Sequence, residues 1–248
     1  MSAAIDAELG PLAARVSCEL SPNDEMFAFG RNWTNYLWIA TSALHCIRRS
    51  MNLIGKQDAR SILDMASGHG RVLRVLKVAF PEARTTACDV NRDGVEFCAR
   101  EFGAVPVVSH DDPEQVDLEG PFDLVWCGSL FTHLDSPRWA GFLDLIDSEL
   151  EPGALFVFTV FGAQIAESWR SGVQDPELTP EAIARILKGY DESGFGYANY
   201  PDAVRWGDAV LTPDWVRETI AGRERLRFVD HWPSGWVGSQ DVVTCVCE

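Results

Sequence analysis

Apolar positions along this chain change their period several times, and the changes mark its elements. Residues 1–22 are weakly patterned, with a break at Gly10-Pro11. From 31 to 53 apolar side chains recur at helical spacing, with Trp33, Tyr36, Leu37, Ala40, Leu44 and Ile47 on one face. A repeating order follows. Ile62-Leu63-Asp64 reads as a short buried strand, Val72 to Phe80 as a helix stopped by Pro81, and Thr85 to Cys88 as a strand. Asp93 to Phe102 is a helix closed by Gly103, and Val105 to Val108 and Phe122 to Cys127 are strands. Ser136-Pro137 opens a helix to Leu150, with Ser136 as cap and proline at the first helical position. Pro152-Gly153 ends it before the apolar run Leu155 to Phe161.

Strands apolar on both faces and alternating with helices indicate a parallel sheet covered on two sides. Past Gly162 the rhythm breaks. Residues 163–210 are rich in Gly, Pro, Tyr and Trp, with one clear helix from Thr179-Pro180 to Lys188. Thr212-Pro213 starts another helix to Ile220, and Leu226 to Trp232 and Val242 to Cys247 form a closing antiparallel pair. The pattern predicts one doubly wound α/β domain with a mostly parallel seven-stranded sheet, its last strand antiparallel. A helical cover (1–58) precedes the core (59–162). An insertion or lid (163–210) then precedes the last helix and strands (211–248).

Composition narrows the partners. The 248 residues carry 21 basic and 37 acidic side chains, a net charge of -16. Such a balance disfavours nucleic acid, which demands a basic stripe, and disfavours anionic membrane surfaces. No apolar run approaches the roughly 20 residues that span a bilayer, and the start lacks a secretory signal pattern. Seven scattered cysteines show no Cys-x-x-Cys pair, and the five histidines are dispersed, so no metal site is expected. Free cysteines in strand-like runs suit a reducing cytoplasm.

In a doubly wound sheet, ligands gather at the carboxyl ends of the strands near the point where strand order reverses. The first such turn is Asp64-Met65-Ala66-Ser67-Gly68-His69-Gly70. Its small residues admit a ligand close to the backbone. A dinucleotide fingerprint begun at Ala66 would need glycine where Arg71 stands, and no Gly-Lys-Ser/Thr follows for a P-loop.

This turn resembles the Asp-x-Gly-x-Gly-x-Gly motif of class I S-adenosylmethionine-dependent methyltransferases, with Ala66 replacing the first glycine. Asp89 resembles the acidic residue that ends strand two of that family. Ser109-His110-Asp111 resembles its polar segment after strand three. Phe122 to Cys127 with Gly128 to Leu134, and the Leu150-Glu151-Pro152-Gly153 turn, resemble its fourth and fifth strands. The likeness runs over about 60–162. It implies S-adenosyl-L-methionine as cofactor, held by Asp64, Met65, Ala66, Ser67, Gly68, Gly70, Asp89, Val90, Asp111, Cys127 and Ser129. It implies the fold above and methyl transfer to a small molecule, such as a sugar or secondary metabolite. Asp64 and Asp89 could instead cap local backbone, and His110 or Asp112 could serve for Asp111.

His133 stands near the expected methyl-donor end, either as a general base for a hydroxyl acceptor, a task open also to Asp135, or as packing. Trp33, Tyr36, Tyr197, Tyr200, Trp206 and Trp236 are candidates for the substrate wall. Gly194, Gly196 and Pro201 predict that the aromatic stretch 195–206 is an irregular loop, either a lid or a surface loop pinned by its own rings. A non-catalytic cofactor-binding module and a related transferase on the same fold, such as an aminopropyl transferase, stay open as rivals.

Overall fold

The computed structural model describes residues 10, 12–28, 32–173 and 175–248. The weak patterning of 1–9, the role of Pro11 and the start of the helical span at Arg31 lie outside them. The first long helix, α1 (Trp33–Leu53), is capped by Asn32, whose side chain accepts from the Thr34 and Asn35 amides. It buries Tyr36, Ala40, Leu44 and Ile47, four of the six residues on the predicted face.

Seven strands form one sheet in the order β3-β2-β1-β4-β5-β9-β8. They are β1 (Ser61–Met65), β2 (Arg84–Asp89), β3 (Val105–Val108), β4 (Phe122–Cys127), β5 (Leu150–Val160), β8 (Leu226–Trp236) and β9 (Gln240–Cys247). The first five pair in parallel, and β9 runs antiparallel to both neighbours. That is the predicted doubly wound sheet with its antiparallel last strand.

Alternation along the strands feeds two cores. Leu63, Val125, Phe156 and Cys245 face one way, against Phe131, Trp139 and Ile146. Ile62, Leu124, Leu155 and Val242 face the other, against Leu44 and Ile47 of α1 and Leu76. Each fully buried Leu, Ile or Phe contributes about 1.5–3 kcal/mol by leaving water. The helices α2 (Leu73–Ala79), α3 (Arg92–Phe102) and α4 (Ser136–Ser148) connect the parallel strands.

Several boundaries differ from the sequence reading. The cap of α4 is Asp135, whose carboxylate accepts from the Arg138 amide at 3.1 Å, so Ser136 is already helical. β5 starts at Leu150, because Pro152 and Gly153 lie in its solvated end, and Gly153 takes a positive φ there. β8 continues to Trp236 through irregular pairing with β9.

The larger correction concerns the insertion. It holds two helices, α5 (Ala163–Arg170) and α6 (Pro180–Ser193), and a hairpin of β6 (Phe195–Asn199) with β7 (Gly207–Leu211). α7 (Pro213–Ala221) then leads to β8. The stretch 195–206 is therefore half strand. Gly196 does not break the chain. It lets β6 lie against α6, where a Cβ would fall 1.8 Å from the Ile186 carbonyl oxygen. Gly189 does the same from the helix side, 2.7 Å from the Phe195 carbonyl. β7 is tied back to the main sheet by the Leu211 amide on the Phe161 carbonyl, at 2.9 Å.

Candidate active site

Strand order reverses between β1 and β4, and a cavity of about 530 Å³ opens there at the carboxyl ends of the strands. Of the predicted cofactor residues, Asp64, Met65, Ala66, Ser67, Gly68, Asp89, Val90, Asp111 and Ser129 line it. Gly70 and Cys127 do not. Gly70 is a packing residue at φ +74, since a Cβ there would meet the Phe102 ring at 2.5 Å and Cys98 Sγ at 2.9 Å. Cys127 is wholly enclosed in the core behind the cavity.

The turn after β1 is held by strand β2. The Ala66 and Ser67 amides donate to the Cys88 carbonyl at 2.8 and 3.1 Å, and the Gly68 amide donates to Asp89 Oδ2 at 2.7 Å. Ala66 sits at φ +62, the left-handed region in which a glycine carries no Cβ penalty. Asp89 Oδ1 accepts from the Asn91 amide at 2.8 Å, so this carboxylate organises local backbone and also borders the cavity.

Asp64 is 2% exposed, and its Oδ2 has no hydrogen-bond partner. Burial, and then the nearby Asp89 charge, push its carboxyl up to about 8, against a Leu73 amide hydrogen bond and the Arg71 charge. An orphaned, enclosed acidic oxygen at a cavity wall is a receptor for a donor or a cation. Among the described residues no cluster of three or more His, Cys, Asp or Glu side chains converges as metal ligands would.

After β3, His110 and Asp111 line the cavity. Asp112 is instead spent on capping the next turn, accepting from the Glu114 amide and from Gln115. Asp135 is likewise engaged, as the α4 cap and as partner of the buried Arg138. Ser129 sits at φ +61, accepts from Gln240 Nε2 at 2.8 Å, and donates its amide to Thr159 Oγ1.

The aromatic candidates divide. Trp206 and Trp236 line the cavity, as does His133. Trp236 packs edge-on against Trp126, with centroids 5.4 Å apart. Trp33, Tyr36, Tyr197 and Tyr200 stand back from it. Tyr36 is buried beneath the N-terminal segment and donates to Asp24 Oδ2 at 2.6 Å, and Trp33 stacks on its ring. The Tyr197 hydroxyl meets Asn199 and Arg138, and the Tyr200 hydroxyl donates to Asp208.

Sequence reasoning missed Asp24, Glu25, Met26, His69, Arg71, Trp126, Leu130, Leu134, Arg138 and Phe142, all of which line the cavity. Arg71 is adjacent to the motif and could have been included. The three from the N-terminal segment reach the site only through tertiary packing, where Arg74 donates to the Ser17 and Glu19 carbonyls.

Comparison with known proteins agrees with this geometry. Residues 62–153 match the family described as a methyltransferase domain. A malonyl-[acyl-carrier protein] O-methyltransferase of Halalkalibacterium halodurans is 28% identical over 113 residues, 43% of this chain and 41% of that protein. A fatty-acid O-methyltransferase of Mycolicibacterium smegmatis is 25% identical over 168 residues, 65% of this chain and 60% of that protein. The matches thus span about half the length of these relatives. Among solved structures, the Burkholderia thailandensis 1,6-didemethyltoxoflavin-N1-methyltransferase, with S-adenosylhomocysteine bound, has a TM-score of 0.57 at 16% identity. That match covers 94% of this chain and 93% of the other. A Clostridium acetobutylicum S-adenosylmethionine-dependent methyltransferase has a TM-score of 0.59 at 13% identity, covering 84% and 92%.

Proposed function

We propose that this chain, which matches a methyltransferase domain over residues 62–153, is a class I S-adenosylmethionine-dependent enzyme that methylates an oxygen or nitrogen atom of a small molecule. The observation that carries the reading is the cavity over the 64–70 turn, with the unpaired Asp64 oxygen on its wall. That oxygen suits the ammonium group of the cofactor's methionine end. Asp89 borders the same cavity and suits the ribose hydroxyls, and Asp111 or His110 suits the adenine amine. When bound, S-adenosylmethionine supplies an electrophilic methyl group, whose bond to sulfur breaks with the electron pair left on sulfur.

The chain's own contribution is chiefly alignment and exclusion of water. Leu130, Trp126, Trp206 and Trp236 give the acceptor side an apolar, aromatic wall. For a hydroxyl acceptor, His133 takes the proton. A cavity of this size falls within the usual range for small-molecule sites, and the acidic surface opposes nucleic acid. The named relatives are methyltransferases of malonyl-[acyl-carrier protein], of a fatty acid and of 1,6-didemethyltoxoflavin. A sugar or secondary metabolite with a free hydroxyl or ring nitrogen fits the wall described here.

Incubation of the protein with methyl-labelled cofactor and a panel of small-molecule acceptors tests this directly. The expected result is enzyme-dependent label on an oxygen or nitrogen of one acceptor class. Tight cofactor binding with no acceptor labelled, in the panel or in cell extract, would overturn it in favour of a non-catalytic module.

A further inference from the structure

Asp208 belongs to none of the motifs, yet the β6–β7 hairpin delivers it to His133, one of three histidines that line the cavity. It is 3% exposed. Its Oδ1 lies 3.1 Å from His133 Nδ1 and accepts the Tyr200 hydroxyl at 2.8 Å. The Gly207 carbonyl oxygen is 2.9 Å from the same ring nitrogen, and the Tyr200 hydroxyl is 3.2 Å away. The hairpin is pinned to this loop by the Ala209 amide on the Thr132 carbonyl, at 2.7 Å. The imidazole also stacks on Trp206, with centroids 5.0 Å apart and planes 22° from parallel.

Carbonyl and carboxylate oxygens only accept, so Nδ1 must be the nitrogen that carries hydrogen. A neutral imidazole so arranged keeps its lone pair on Nε2, on the opposite side of a ring that forms part of the cavity wall. Tyr200 does not compete for that role. Burial, and then the Asp208 charge, raise its phenol far above the usual tyrosine range, so it stays protonated and donates to Asp208.

We propose that Asp208 is a positioning residue which, with the Gly207 carbonyl, locks His133 as the Nδ1–H tautomer and leaves Nε2 ready to accept an acceptor's proton. The inference rests on the methyl-transfer reading above. As the acceptor oxygen gains the methyl group, its O–H bond breaks and the proton moves to Nε2. The resulting imidazolium charge faces the Asp208 carboxylate, which takes no proton itself. The arrangement follows the logic by which a buried aspartate orients a catalytic histidine in hydrolases.

Nitrogen-15 NMR of the labelled full chain with S-adenosylhomocysteine reads the tautomer without any acceptor, and His133→Gln identifies the signals. The expected spectrum has a pyrrole-like Nδ1 and a pyridine-like Nε2. In Asp208→Asn a second form with hydrogen on Nε2 should become populated. Hydrogen on Nε2 in the wild type, or an Asp208→Asn spectrum identical to it, would overturn the proposal. If S-adenosylhomocysteine leaves the signals of residues 64–70 unmoved, the cofactor reading fails instead. With a hydroxyl acceptor in hand, Asp208→Asn should lower kcat about 100-fold with KM unchanged. It should lower it no further when His133 is already Gln. Additive losses would assign Asp208 a purely structural role.

Discussion

A carboxyl that is fully enclosed, lacks a partner on one oxygen and faces a second carboxylate does not hold its charge easily. Asp64 is such a group, pushed up to about 8 by burial and then by Asp89. Its unfolded value is the ordinary 3.8, so between about pH 4 and 8 the native state binds the extra proton. Its contribution to stability is therefore present at low pH and is lost as pH rises through that window. Asp64→Asn should accordingly raise the melting temperature more at pH 8 than at pH 5. A cationic ligand favours the ionised form, so wild-type affinity for S-adenosylmethionine should tighten from pH 6 to pH 8 and that of Asp64→Asn should not. Calorimetric titrations at the two pH values check this, and parallel behaviour of the two proteins would contradict it.

Ala66 makes a second residue-scale case. A left-handed alanine costs roughly 1–2 kcal/mol, and a glycine loses about 0.5–1 kcal/mol more backbone freedom on folding. Ala66→Gly should thus leave stability unchanged or raise it by up to about 1.5 kcal/mol. Urea denaturation showing a loss beyond 1 kcal/mol would refute the strain.

At the scale of elements, the hairpin β6–β7 carries the most unexpected geometry, because it brings Trp206, Gly207 and Asp208 to His133. Its packing on α6 depends on the missing side chain of Gly196. Gly196→Ala would press a methyl into the Ile186 carbonyl, and the hairpin and helix must part. The expected loss is about 1–3 kcal/mol by urea denaturation, as for overpacked cores. A neutral result would mean that the contact is slack.

The same hairpin explains what the sequence could not reveal. The β1 turn, Asp89 and the β4 loop were legible, since each candidate residue there lies within a few positions of a strand end set by apolar alternation. Gly194 and Gly196 carry the local signature of a loop, and only the presence of α6 beside them makes one of them a site of close approach. Asp208 and Asp24 come from elements remote in sequence from the motif, so no local pattern marks them. Ser136 looked like a cap because serine and proline suit that role, but Asp135 one residue earlier wins it with a carboxylate.

Across the whole molecule, one core packs on each face of the sheet, and the net charge of -16 suits the cationic cofactor proposed for the cavity. Among the described residues no helix is long and apolar enough to cross a membrane. A ligand that binds only the folded chain stabilises it by about 2.7 kcal/mol at a hundred times its Kd. For a chain of this size that is a rise of roughly 5–10 °C in Tm. S-adenosylmethionine should produce it, and S-adenosylhomocysteine should act in the same direction.

Isothermal titration of S-adenosylmethionine into wild type and Asp89→Ala measures directly what the 64–70 turn and Asp89 hold. One-site binding is predicted, weakened in Asp89→Ala by about 1–3 kcal/mol through the loss of charge-assisted hydrogen bonds. No heat with wild type at high micromolar cofactor, or equal affinity in a folded Asp89→Ala, would contradict it.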